Sequence, residues 1–121
     1  MQTRQQQRSL LAYEQVKHHK PPAENPTPDD REKEAKFKSF ALSFPALIQG
    51  CGLAQALAFA QAKGPDGFLN DLAVIMKENG DGLCESARKA ELTDYMRLSR
   101  DALDAATWLK RYAEALLKGD E

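Results

Sequence analysis

An all-α fold, a compact bundle of five or six helices in a single domain, is predicted by three features of the sequence. Ala and Leu are abundant while Val, Ile and Thr are scarce. No run alternates apolar and polar residues at the period of a strand. Apolar residues instead recur three and four positions apart along most of the chain, and a chain of 121 residues suits one core.

Each element has its own justification. A first helix is expected from about Thr3 to His18, with Leu10, Tyr13 and Val16 on one side and Arg4, Arg8, Leu11 and Gln15 on the other. "KPPAENPTPDD" (20–30) holds four of the six prolines, which lack an N–H and restrain their predecessors, so it reads as a linker. A second helix starts near Asp29 or Asp30, acids suited to an N-terminus, and stacks Phe37, Phe40, Phe44, Leu47 and Ile48. Lys38, Ser39 and Leu42 point elsewhere; Pro45 should kink this helix, and Gly50 and Gly52 should end it. A third follows from Leu53 to Lys63. "FLNDLAVIMKEN" (68–79) gives a fourth, with Phe68, Leu72, Ile75 and Met76 inward. "KGPDG" (63–67) and "NGDG" (79–82) read as stops with glycine at positive φ. "AELTDYMRL" (90–98) suits a short fifth helix ahead of Ser99 as N-cap. From Arg100 to Lys118 a wide apolar arc including Leu103, Trp108, Leu109, Tyr112 and Leu116 marks a central last helix, and Lys110 and Glu114 are spaced as an i,i+4 pair.

Residues 39–62 contain no Asp, Glu, Lys or Arg. A membrane span would place three glutamines, a proline and two glycines in or near hydrocarbon, without Trp or Tyr belts at its two edges. A dinucleotide loop would need a strand before Gly50 and a third glycine. The remaining reading is a helical hairpin buried on nearly all sides, its alanines admitting a close neighbour and Phe59 filling the gap.

The chemistry of the chain excludes most enzyme classes. His18 and His19 are adjacent, about 100° apart on a helix, so they do not chelate one ion and read as a solvated helix end. Fitting "NGDGLCE" to a calcium loop puts Lys77 and Arg88 at ligand positions. Cys51 and Cys84 read as reduced thiols without a nucleophile signature. No catalytic, metal or cofactor site is expected. "MQTRQQQR" is no secretory signal, which leaves the cytoplasm as the default location.

The net charge of −1 argues neither for nor against a nucleic-acid partner, so only a local patch is informative. Up to Lys20 the chain sets Arg4, Arg8, Lys17 and Lys20 against Glu14 alone, and Lys110 with Arg111 forms a second basic group. On the residues alone, a solvated helix face is the simpler account of both.

The order of a basic N-terminal helix, a proline linker, "KFKSFALSFPALIQGCGLAQALAFAQAKG" (36–64) and "LDAATWLKRYAEALL" (103–117) resembles the small helical subunit of the type III-B CRISPR RNA-silencing (Cmr) complex. The most specific parts are Phe44-Pro45, Gly52-Leu53, "LAF" at 57–59 with Lys63, and "WLKR" at 108–111. The resemblance implies a non-catalytic subunit in antiviral defence, without cofactor. Its copies stack beside the backbone subunits that hold guide RNA and help seat target RNA. Implied partners are other Cmr subunits, including the repeated backbone subunit and further copies of itself, with target RNA and possibly guide RNA, and no membrane. Arg4, Arg8, Lys17, Lys20, Lys38, Lys63, Lys110 and Arg111 are then the candidate phosphate contacts. The alternative is a helical protein–protein scaffold without RNA contact.

Overall fold

The computed structural model describes residues 1–78 and 80–119, and all regular structure among them is helical. In chain order the elements are α1 (Arg4–Lys17), α2 (Pro28–Cys51), α3 (Leu53–Lys63), α4 (Phe68–Met76), α5 (Gly80–Lys89) and α6 (Leu92–Leu116). Among the described residues, no helix is long and apolar enough to cross a membrane.

Local chemistry sets the first two starts. Thr3 and Gln6 exchange side-chain and backbone hydrogen bonds in a capping box at α1. Thr27 and Asp30 do the same at α2, and Pro28 occupies the first helical position, where its missing N–H costs nothing. The linker therefore ends at Thr27, slightly earlier than the acids suggested. Pro45 lies inside α2, which continues to Cys51.

The α2–α3 corner is made by Gly52, at φ +86°, a conformation that only glycine adopts readily. Gly52 brings no capping side chain to α3, so the hydroxyl of Tyr95, on α6, accepts the Ala54 N–H at 2.9 Å.

Several expectations change. Gly64 has φ −71°; left-handed backbone falls instead at Gly67 (φ +87°), ahead of α4, and at Lys77 (φ +61°), which caps it. Helix α4 thus stops before "NGDG". Asn79 lies outside the described residues, and Gly80 and Gly82 belong to α5, a helix that the glycines concealed. The short fifth helix and the last helix are one: Ser99 sits inside α6. On α1 the buried residues are Ala12 and Val16, while Leu10 is half-exposed, because α1 turns its Ala12 side toward α6 and α4.

All five phenylalanines meet in one cluster. Phe44 and Phe40 meet Phe68 edge-on at 4.9 and 4.8 Å between centroids, Phe37 lies 5.8 Å from Phe68, and Phe40 stacks on Phe59 at 6.0 Å. Phe59 closes the edge of this cluster and remains 47% exposed. Helix α6 is central as expected: α1, α2 and α4 pack on it, and its buried Ala102, Ala105, Ala106 and Ala113 allow close approach around Leu109.

Burial of residues 39–62 on nearly all sides is not observed. Ser43, Ala46, Gln49, Gln55, Ala58 and Ala62 lie partly or fully in solvent, because the α2–α3 hairpin buries only its inner stripe. The lack of charge therefore extends over a solvent-facing surface.

Candidate nucleic-acid interface

Arg8 defines the seam between α1 and α6. Its guanidinium is held by Asp104 and, at 3.1 Å, by Asp101, with its side chain 12% exposed. Burial pulls its pKa down, but the hydrogen bonds to Asp104 and Asp101 and their charges outweigh this and raise it. Gln5 extends the seam, donating to Asp104 at 2.9 Å and accepting the Trp108 indole N–H at 2.7 Å. Ser9 and Tyr112 share a 2.7 Å hydrogen bond, and Tyr13 meets Tyr112 edge-on at 5.6 Å.

The other basic candidates lie further from this seam or at its margin. Arg4 reaches Asp101 only at 4.0 Å and is 75% exposed. Lys17 lies 3.8 Å from Glu14 and over the Tyr13 ring. Lys20 is exposed beyond α1, and Lys63 is exposed at the end of α3. On α6, Glu114 pairs with the exposed Arg111 at 3.5 Å rather than with Lys110, which is half-buried. Lys38 stands on a different side, in a cleft with Arg31 and Lys118, which sequence reasoning missed. The seven-residue spacing of Arg31 and Lys38 on one helix was the available signal. Among the described residues, Lys20, Lys38, Lys63 and Lys110 lie within ion-pair distance of no carboxylate.

His19 is not a solvated helix end. Its ring stacks on Phe37 at 3.7 Å, and Nε2 lies 2.7 Å from Oδ2 of the buried Asp71, which ties the end of α1 to α2 and α4. Burial pushes the Asp71 carboxyl up, and the His19 hydrogen bond and the nearby charges of His19 and His18 only partly oppose this. A carboxyl raised on folding contributes stability that is full below its ordinary value of 3.8 and is lost as pH rises through the raised value. Asp71→Asn is therefore expected to gain on the wild type as pH climbs from about 4 toward neutrality. Urea midpoints measured across that range check this; parallel pH profiles would contradict it.

No group of three or more His, Cys, Asp or Glu side chains among the described residues is placed to hold a metal ion. Cys84 is buried, and burial pushes its thiol up, away from the thiolate a nucleophile needs; Cys51 is exposed.

The family described as CRISPR-associated protein (Cas_Cmr5) matches residues 4–116. The chain belongs to this Cmr5 family. The CRISPR system Cmr subunit Cmr5 of Thermus thermophilus is 37% identical over 122 residues, covering 98% of this chain and 99% of the relative. The crystal structure of a Cmr5 family protein from the same organism superposes with a TM-score of 0.83 at 36% identity, covering 97% of this chain and all of the other. The all-helical bundle described above is thus the fold of a Cmr5 protein, and Arg8, Asp101 and Asp104 lie within the matched span.

Proposed function

We propose that this Cmr5 family chain acts as a non-catalytic small subunit of a type III-B Cmr ribonucleoprotein. It stacks beside the guide-RNA backbone subunits and further copies of itself and helps to hold target RNA. The family match across nearly the whole chain carries this reading. The geometry supports it in two ways. Arg4, Lys17, Lys20, Lys63, Lys110 and Arg111 are partly or fully exposed and at most loosely paired, so they are free to meet phosphates, whereas Arg8 holds α1 on α6. The uncharged outer face of residues 39–62, across the α2–α3 corner, suits protein neighbours, since interface cores are depleted in charge.

Complexes reconstituted with and without the chain, and with Arg4→Ala/Lys17→Ala/Lys20→Ala or Lys110→Ala/Arg111→Ala, test this over a salt series. Each lost phosphate contact is expected to lower the salt slope of target-RNA affinity by up to about 0.7. Unchanged affinity and slope in both variants, with incorporation intact, would favour the protein-only scaffold.

A further inference from the structure

We infer that the cleft between the start of α2 and the C-terminal tail, lined by Arg31, Lys38 and Lys118, is a second seat for RNA-backbone phosphates. This rests on the RNA-contact reading above and adds a site apart from the α1–α6 seam. The argument begins with how α2 disposes of its charges. Lys33 and Lys36 each find the acid one turn earlier, Asp29 at 3.3 Å and Glu32 at 3.0 Å. Arg31 has Thr27 in that position, and Thr27 is engaged as the helix cap. Lys38 has Glu34, a carboxylate of the right spacing, yet Glu34 turns inward, is 4% exposed and accepts the Lys118 backbone N–H at 3.0 Å. The acid that would have neutralised Lys38 instead ties down the tail.

That tie builds the cleft. Helix α6 ends at Leu116, and the next residue, Leu117, is extended at φ −107° and ψ 153° and buried, so the chain leaves the helix along α2. A Cβ placed on Gly119 would lie 3.8 Å from Cδ of Lys38, so the tail runs against the stem of that side chain. The resulting open cleft of about 660 Å³ is lined by Arg31, Lys38 and Lys118, with Pro28 and Leu117 as its apolar wall. Among the described residues none of these three cations has a carboxylate within ion-pair distance, and the other acid on the rim, Glu32, is paired with Lys36. An Arg fork and two ammonium groups, spread along one open cleft, fit successive phosphodiesters of a single strand better than one compact anion.

The test uses reconstituted complexes containing the full chain, so that Asp120 and Glu121, which follow in sequence, remain present. Arg31→Gln/Lys38→Gln/Lys118→Gln is compared with Lys33→Gln/Lys89→Gln/Arg97→Gln, which removes three cations that are already paired and leaves the Glu32–Lys36 pair on the rim intact. The cleft variant is expected to bind target RNA about tenfold more weakly, with a salt slope lower by about two, while the paired-cation variant changes neither. Photo-crosslinking with the label in the guide or the target strand supplies a second readout. Crosslinks from either strand to the peptides around residues 31–38 and 116–119 support the site; crosslinks confined to α1 and α6 overturn it. If the cleft variant behaves as the paired-cation variant does, while complexes lacking the chain bind RNA more weakly, the cleft fails and the RNA reading stands. If complexes lacking the chain bind RNA as tightly as complete ones, the RNA reading itself fails and takes the cleft with it.

Discussion

Phe44→Ala is expected to lower the unfolding free energy by about 3–5 kcal/mol, the range for removing a large buried aromatic. Phe44 is wholly buried, meets Phe68 edge-on at 4.9 Å and stacks with Phe40 at 5.6 Å. Its removal opens a cavity between α2 and α4, and Pro45, the next residue, restricts how far that part of α2 can close in. A domain of this kind has about 5–15 kcal/mol in total, so the variant should sit close to unfolding at physiological temperature. Urea denaturation followed by helical circular dichroism gives the value. Phe59→Ala, at the half-exposed edge of the same cluster, should cost far less. Equal losses at the two positions would show that burial does not set the cost within this cluster.

Arg8→Ala is expected to cost about 2 kcal/mol, as for hydrogen bonds to charged groups, reduced by the partial exposure of the acids. The substitution leaves Asp101 and Asp104, each about one-third exposed, without their shared counter-charge, and it removes the alkyl stem from the seam. Arg4→Ala, at an exposed 4.0 Å contact, should leave stability almost unchanged. The contrast matters for function. A loss of RNA affinity in Arg8→Ala reports a loosened α1, whereas the same loss in Arg4→Ala reports a missing phosphate contact. Equal stability of the two variants would show that the Arg8 clamp does not hold α1 in place.

Helices α2, α3 and α4 were legible because each has a local cause: a phenylalanine stripe, a glycine corner and an apolar face between stops. Helix α5 was not, since Gly80-Asp81-Gly82 resembles a turn, and its packing against α3 and α4 is not visible in the sequence. The break expected before Ser99 disappears because α6 is held from outside by α1, α2 and α4. The basic residues could be named from sequence but not sorted. Arg8 differs from Arg4 in being hydrogen-bonded by two acids more than ninety residues away, one of which Arg4 reaches only at 4.0 Å. Lys38 is freed by Glu34 turning toward Lys118, a contact across most of the chain. His19 is drawn inward in the same manner by Asp71. What escapes the sequence is the long-range pairing that decides which charge is already satisfied.

The Tyr95 cap bears on how the protein is made. Helix α3 is synthesised well before the hydroxyl that receives its Ala54 N–H, and α1, α2 and α4 likewise precede the helix on which they pack. At about 5–20 residues per second, the 25 residues of α6 take roughly one to five seconds to emerge. Throughout that interval α1, α2 and α4 of a nascent chain lack the helix on which they pack, beside a stretch with no charge to discourage association. Completion of the core therefore waits until α6 is there to pack against.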